Sequence, residues 1–168
     1  MGPQRATIAP VRAILFVCAG NICRSPIAEA RFRQTMGSRP GLSALEIGSA
    51  GTIALDGNPA APNAVRAARD EFGLDITGHC ARNIEGLDAD LILAMDGMVT
   101  RDLLRLSLTG RVELLGTYAG TGEIVEDPYG CPIEIYRACA RHLDRLIQAA
   151  AARLEQELRN PGSSTGRP

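Results

Sequence analysis

The chain has 168 residues, of which 45% are hydrophobic, so it can bury one core and we expect a single domain. All 18 basic residues are arginines, and with 19 acidic residues they give a net charge of -1. This balance and the aromatic content of 4% argue against a nucleic-acid-binding surface. Five cysteines, an odd number, favour reduced thiols in a cytoplasmic protein over a secreted disulfide framework. The apolar run at 13–18 is too short to span a bilayer, so we expect no membrane insertion.

The two ends of the chain are predicted to be flexible tails. Residues 1–11 precede the first apolar run, and residues 160–168, with the sequence NPGSSTGRP, are rich in glycine, serine and proline. The folded domain is therefore expected to span residues 12–159.

Short apolar runs alternate with helical patterns inside this domain. The apolar runs predict strands at residues 13–17, 45–49, 91–94 and 112–115. Apolar residues then recur at helical spacing, from Ala28 to Met36 after the first run and from Ile135 to Leu158 after the last. Alternating strands and helices predict an α/β fold in three layers, with a four-stranded parallel sheet between helices.

The loops at the carboxyl ends of parallel strands gather along one edge of the sheet, where ligands bind. Cys18 follows the first predicted strand, residues 49–58 follow the second, and residues 116–129 follow the fourth. These three segments are far apart in the sequence, but this topology brings them together. They are the predicted walls of a binding site.

Residues 18–25, with the sequence CAGNICRS, are here called the cysteine loop, and they lead into a predicted helix. Ser25 is placed to cap this helix, and Pro26 suits its first turn. Gly20 and Asn21 readily adopt positive φ, so the loop can curl with its backbone N–H groups pointing inward. These groups, the helix N-terminus and Arg24 would converge on a space that fits phosphate.

Cys18 is the candidate nucleophile of this loop. A thiol at a helix N-terminus beside an arginine is expected to ionise at neutral pH and can then attack phosphorus. Arg24 can hold two phosphate oxygens in its planar fork, and Ser25 can donate a hydrogen bond to the departing sulfur. A small buried cysteine without chemistry is the simplest alternative. A zinc site at Cys18 and Cys23 is disfavoured because the chain has no second pair of cysteines at zinc spacing and only two histidines.

From Arg12 to Leu158 the sequence resembles the low-molecular-weight protein tyrosine phosphatases. The resemblance is carried by VCAGNICRSP at 17–26, SAGT at 49–52, GHCAR at 78–82, DLILAMD at 90–96 and DPYG at 127–130. It implies a flavodoxin-like fold and hydrolysis of phosphotyrosine in proteins through a cysteinyl-phosphate intermediate. No cofactor and no metal are expected.

The resemblance also implies a role for individual residues. Cys18 is the expected nucleophile, Arg24 the phosphate clamp and Asp127 the general acid and base. The other expected phosphate-binding residues are Ala19, Gly20, Asn21, Ile22, Cys23 and Ser25. The expected supporting residues are Ser49, His79, Leu55 and Tyr129.

An acid at Asp127 also makes chemical sense by itself. When the P–O bond of phosphotyrosine breaks, the tyrosine side chain leaves as a phenolate unless an acid protonates it. Pro128 would stiffen the segment that presents the carboxyl group of Asp127. Taken alone, Asp-Pro would more simply indicate a turn.

The segment after SAGT indicates a branch of this family. Its sequence, IALDGNP, offers only Ile53, Ala54 and Leu55 where eukaryotic-type members carry a bulky aromatic residue. This pattern resembles the bacterial branch found with exopolysaccharide machinery, whose partners are autophosphorylating tyrosine kinases. A phosphotyrosine protein, such as a bacterial tyrosine autokinase, is therefore the expected partner.

Three alternatives remain at this point. An arsenate reductase shares the fold but needs resolving cysteines, for which Cys80 is a candidate with no close second cysteine. Protein arginine phosphatases carry threonine where this chain has Ile22, a residue better suited to an aromatic ring. A phosphate-binding module without activity would not need Cys18, Arg24 and Asp127 together.

Overall fold

The computed structural model describes residues 9–161. Its strands are β1 Ala13–Cys18, β2 Glu46–Gly51, β3 Leu91–Ala94 and β4 Arg111–Leu114. Its α-helices are α1 Arg24–Met36, α2 Pro62–Phe72, α3 Gly97–Leu103, α4 Leu115–Tyr118 and α5 Ile133–Arg159, and a 3-10 turn covers Pro40–Leu42.

The four strands form one parallel sheet in the order β2-β1-β3-β4. The predicted α/β fold with a four-stranded parallel sheet is confirmed. Strand β1 lies inside the sheet, where Cys18 pairs with Gly51 of β2 and Val17 pairs with Ala94 of β3. The strand order changes direction between β1 and β3, and ligands bind at such switch points in open α/β sheets.

The side chains of β1 alternate between the two faces of the sheet. Ile14 and Phe16 pack into the larger core, which α1, α2 and α5 cover. Leu15 and Val17 pack into a smaller core on the opposite face with α3 residues such as Val99. Because β1 buries both faces, it has the continuous apolar sequence typical of an interior parallel strand.

The predicted strand bounds agree with the structure to within two residues. Strand β1 continues through Cys18 and β2 through Gly51, so both strands reach the edge where the loops gather. The predicted apolar stripe of α5 was wrong at its first residue. Ile135 is 49% exposed, and the next residue, Tyr136, is the one that is buried.

The predicted tails, residues 1–11 and 160–168, lie mostly outside the described residues. Val11, the last residue of the predicted N-terminal tail, is buried in the larger core, so ordered packing starts before Arg12. No helix within residues 9–161 combines the length and the apolar composition that crossing a bilayer requires.

Candidate active site

Cys18 ends β1, and its side chain is held by the loop that follows. The thiol is 2% exposed, its Sγ atom accepts a hydrogen bond from the Asn21 backbone N–H at 3.3 Å, and the Ser25 hydroxyl lies 3.0 Å away. Helix α1 begins at Arg24, immediately after the loop has turned. The sulfur is thus fixed beside the first turn of a helix, where a negative charge is stabilised.

Asn21 organises the cysteine loop from within the protein. Its side-chain amide donates to the Ser25 hydroxyl at 2.8 Å and to the Ser49 hydroxyl at 3.0 Å. Its side-chain oxygen accepts from the Arg82 backbone N–H at 2.8 Å, and its backbone oxygen accepts from His79 Nε2 at 2.7 Å. The structure therefore brings together the predicted supporting residues Ser49 and His79 with the loop that they were expected to hold.

Two expectations about this loop were wrong. Ser25 does not cap α1, because the helix begins one residue earlier and the serine hydroxyl faces Cys18 and Asn21 instead. Of the two residues expected to have positive φ, only Asn21 does, at 53°, whereas Gly20 does not. The curl of the loop therefore rests on one left-handed residue, a conformation that asparagine tolerates better than most residues.

Gly51 contributes to the site in a way that the sequence reading missed. A Cβ atom built at this position would collide with the Ala19 backbone oxygen and lie 2.9 Å from the Asn21 nitrogen. The glycine of the SAGT motif thus lets the end of β2 approach the cysteine loop closely. Behind the same motif, the Ser49 hydroxyl donates to Glu29 at 2.6 Å.

Arg24 is 2% exposed and is fixed on one side only. Its Nη1 atom donates to the Asp96 carboxylate at 2.6 Å and to the Val125 backbone oxygen at 2.8 Å. Its Nη2 atom lies 3.5 Å from the Asp127 carboxylate, and its buried Nε atom has no hydrogen-bond partner among the described residues. The edge formed by Nε and Nη2 can thus bind two oxygens of a phosphate group.

Asp96 is the second residue that the sequence reading missed. It follows β3 after one intervening residue, Met95, and it also accepts the Val99 N–H at 2.9 Å as the N-cap of α3. Burial alone would raise the pKa of Asp96, but the hydrogen bonds from Val99 and Arg24 outweigh it and lower the pKa below its usual range. Burial would lower the pKa of Arg24, but the Asp96 hydrogen bond and the nearby charges of Cys18 and Asp127 raise it. The arginine is therefore held as a cation beside the thiol.

A cavity of about 190 Å³ opens at this edge of the sheet. Its lining residues come from three segments: Cys18, Ala19, Gly20, Ile22, Cys23 and Arg24 of the cysteine loop, Ile53, and Asp127 and Tyr129. Leu55, predicted to support the site, is 70% exposed and is not among the lining residues. Ile53, two residues earlier, forms that wall.

Asp127 belongs to residues 119–132, here called the aspartate loop. Its side chain is 48% exposed, and Oδ1 accepts the Tyr129 N–H at 3.1 Å within the same turn. The carboxyl group thus faces both solvent and the Arg24 guanidinium. A thiol, a buried cation with a free edge and a half-exposed carboxyl group around one cavity are the groups that transfer of a phosphoryl group requires.

Comparisons with known proteins agree with this arrangement. Residues 13–160 match the family described as low molecular weight phosphotyrosine protein phosphatase. The chain is 36% identical over 149 residues to the probable low molecular weight protein-tyrosine-phosphatase EpsP of Ralstonia nicotianae, covering 86% of this chain and 97% of that protein. The chain belongs to the low molecular weight phosphotyrosine protein phosphatase family.

Solved structures give the same result for the fold. The low molecular weight protein tyrosine phosphatase from T. tengcongensis has a TM-score of 0.75 at 35% identity, covering 84% of this chain and 98% of that one. The YwlE arginine phosphatase from Geobacillus stearothermophilus has a TM-score of 0.77 at 30% identity, covering 89% of this chain and 97% of that one. The fold alone therefore does not distinguish a tyrosine phosphatase from an arginine phosphatase.

Proposed function

We propose that the protein hydrolyses phosphotyrosine in proteins, with Cys18 as nucleophile, Arg24 as phosphate clamp and Asp127 as general acid and base. The observation that carries the proposal is the buried Nε atom of Arg24, which has no hydrogen-bond partner among the described residues, in a residue that lines the same cavity as Cys18. A buried donor without a partner costs free energy, and a phosphate oxygen in this cavity would supply the partner.

The first step transfers the phosphoryl group to the enzyme. The Cys18 thiolate attacks phosphorus, an S–P bond forms, and the bond between phosphorus and the tyrosine oxygen breaks. Asp127 gives its proton to the departing oxygen, so tyrosine leaves as a neutral phenol. Arg24 and the backbone amides of the cysteine loop stabilise the negative charge on the phosphate oxygens.

The second step restores the enzyme. The Asp127 carboxylate takes a proton from a water molecule, whose oxygen attacks phosphorus, and the S–P bond breaks to release inorganic phosphate. Cys18 leaves as a thiolate. The Ser25 hydroxyl, 3.0 Å from Sγ, is placed to donate a hydrogen bond to that developing charge.

The wall of the cavity supports phosphotyrosine over phosphoarginine. Ile22 and Ile53 offer apolar surface, and Tyr129 adds an aromatic ring that is 67% exposed. Such a surface packs well against a phenyl ring, whereas Ile22 and Ile53 give a guanidinium group no hydrogen-bond acceptor.

Arsenate reduction receives less support. Cys80, the candidate resolving cysteine, does not line the cavity, and its thiol hydrogen-bonds to Gly78 within its own turn at 4.0 Å. Cys131 bonds similarly to Tyr129 two residues away.

Matched proteins that carry phosphotyrosine, phosphoserine or phosphoarginine test the substrate class. We expect phosphate release to be fastest from phosphotyrosine. Faster release from phosphoarginine would overturn the assignment made from Ile22. Cys18→Ser should bind phosphate but release none from any substrate, and turnover at the wild-type rate in this variant would exclude the mechanism.

We further propose that the protein acts in the cytoplasm on a bacterial tyrosine autokinase in polysaccharide production. Support comes from the aliphatic segment at 53–55, which resembles the bacterial branch, and from the similarity to EpsP. An aliphatic wall holds a lone phenyl ring loosely, so contacts from the surrounding protein substrate should raise kcat/KM. Comparing a phosphorylated autokinase with the free phosphotyrosine amino acid measures this effect, and equal kcat/KM values would contradict it.

A further inference from the structure

Helix α5 contacts the aspartate loop next to Asp127. Tyr136 and Cys139 lie three residues apart on α5, so they share one face of the helix. The Cys139 thiol donates to the Glu126 backbone oxygen at 3.9 Å. The residue immediately before Asp127 is thus attached to the helix that carries Tyr136.

Tyr136 also reaches the cysteine loop. Its side chain is buried, being 3% exposed, and its hydroxyl lies 3.5 Å from the Cys23 sulfur. Burial raises the pKa of the Cys23 thiol to about 11 and also raises that of the Tyr136 hydroxyl, so both groups keep their protons at neutral pH. The tyrosine hydroxyl therefore holds α5 against the cysteine loop.

The side chain of Asp127 itself is held weakly. It bonds to Tyr129 inside the same turn, and its other oxygen is 3.5 Å from Arg24 at a half-exposed position. Arg24 also ties the aspartate loop to the cysteine loop through the Val125 backbone oxygen at 2.8 Å, two residues before Asp127, and the contacts of α5 add to this tie. An acid that donates a proton in the transition state must be held at hydrogen-bond distance from the leaving oxygen.

We propose that Tyr136 is a positioning residue for the general acid, because its hydroxyl holds α5 at Cys23 of the cysteine loop while Cys139, on the same face of α5, holds Glu126 next to Asp127. The inference rests on the proposed function, in which Asp127 protonates the leaving group. The tyrosine acts through Asp127 and does not itself contact the reacting atoms.

Tyr136→Phe tests this role, since it removes the hydroxyl and keeps the ring in the core. We expect kcat/KM to fall about tenfold for aryl phosphates with poor leaving groups, less than the 10²-fold that a displacement of about 1 Å can cost. For aryl phosphates with good leaving groups, which depart without a proton, kcat/KM should change less than about twofold. The dependence of rate on leaving-group pKa should therefore steepen.

Tyr118→Phe is the matched control. Tyr118 is also buried, but its hydroxyl bonds to Glu157 of α5, at 3.1 Å, whereas that of Tyr136 contacts Cys23. This variant also loses one buried hydroxyl from a contact with α5, so its Tm should fall while its leaving-group dependence stays that of the wild type. Equal losses on good and poor leaving groups in Tyr136→Phe, or no loss at all, would overturn the positioning role.

A double variant separates this inference from the proposed function. In an Asp127→Ala background, Tyr136→Phe should have no further effect on poor leaving groups because the group that it positions is gone. An additional tenfold loss there would overturn the positioning role and leave the acid assignment intact. If Asp127→Ala alone shows no loss specific to poor leaving groups, the acid assignment fails and this inference fails with it.

If Tyr136→Phe does not fold, Cys139→Ala cuts the same link at the aspartate loop, because it removes the thiol that bonds to the Glu126 backbone oxygen. We expect the same selective loss on poor leaving groups, and a uniform loss across leaving groups would count against the link.

Discussion

The cysteine loop and the aspartate loop meet at one cavity, but they are held in different ways. In the cysteine loop Cys18, Asn21, Arg24 and Ser25 are buried and hydrogen-bonded to one another or to neighbouring strands. Most of the aspartate loop is exposed, with Val125 and Pro128 as buried exceptions.

This difference in burial suits the role proposed for each loop. Binding a phosphate dianion requires donors that do not reorganise, and a dense buried network provides them. A proton donor must instead exchange protons with water between the two steps, so it needs solvent access together with a defined position. The comparison predicts that substitutions in the cysteine loop lower kcat/KM for all substrates and also lower the free energy of unfolding. Substitutions in the aspartate loop should lower kcat/KM only for some substrates and should hardly change the free energy of unfolding.

Asp127→Ala should have the largest effect on activity. We expect kcat/KM to fall about 10²–10⁴-fold for aryl phosphates with poor leaving groups and far less for good ones, because only the former need a proton. The free energy of unfolding should hardly change at this half-exposed site. Glu126→Ala, which removes the neighbouring exposed charge, is the control and should leave the leaving-group series unchanged. Equal losses across the series would remove Asp127 from the acid role.

Asn21→Ala should damage the other loop. The change removes the hydrogen bonds that the Asn21 side chain makes with the Ser25 hydroxyl, the Ser49 hydroxyl and the Arg82 N–H, and alanine tolerates the left-handed backbone less well. We expect a loss of about 3 kcal/mol in the free energy of unfolding, measured in denaturant, with kcat/KM reduced for good and poor leaving groups alike. Asn63→Ala is the control, since Asn63 makes a hydrogen bond of 3.4 Å to Cys131 outside the cavity. A loss confined to poor leaving groups would contradict the assignment of Asn21 to phosphate binding.

Asp96→Asn tests the anchor between the sheet and Arg24. Asparagine can keep the cap on α3 but loses the charge, so we expect a destabilisation of about 1.5 kcal/mol at pH 7. The lowered pKa of Asp96 means that its carboxylate stabilises the fold above its ordinary pKa of about 3.9 and loses this effect as pH falls below it. The gap in unfolding free energy between wild type and variant should therefore shrink between about pH 5 and pH 2, and a gap independent of pH would exclude the ion pair as its cause.

Cys23 gives the smallest predicted effect, which appears only after oxidation. Peroxide should convert Cys18 to a sulfenic acid, and Cys23, five residues later in the same loop, is expected to trap it as a disulfide. Thiol reductant should then restore wild type but not Cys23→Ser. Because the pKa of Cys23 is raised to about 11, few of these thiols are ionised at neutral pH and trapping should be slow. If both proteins recover alike, Cys23 does not protect the nucleophile.

The sequence was enough to predict the sheet and the meeting of Cys18 and Arg24 at one cavity. Interior strands such as β1 read as short apolar runs, and Cys18 and Arg24 lie within one continuous segment whose ends are a strand and a helix. Asp127 was found through the resemblance, because Asp-Pro by itself indicates only a turn.

Residues that act across the fold were missed. Asp96 follows a strand and starts a helix, so it reads as an ordinary cap, and its contact with Arg24 spans 72 positions. Tyr136 was missed because the predicted buried stripe of α5 began at Ile135, one residue too early, so the prediction placed Tyr136 outside the stripe. Ile53 and Leu55 are both aliphatic, and the sequence does not indicate which of them turns toward the cavity.

Cys18, the proposed nucleophile, ends a strand that is paired on both sides, and this has a consequence on heating. Interior strands open only with the whole molecule, whereas exposed loops open at much lower free energy. As the temperature rises toward Tm, the aspartate loop should lose its order while β1 and the cysteine loop keep theirs. Just below Tm the protein would then still hydrolyse aryl phosphates with good leaving groups but would fail on phosphotyrosine. The highest temperature at which it acts on its biological substrate would therefore lie below its melting temperature.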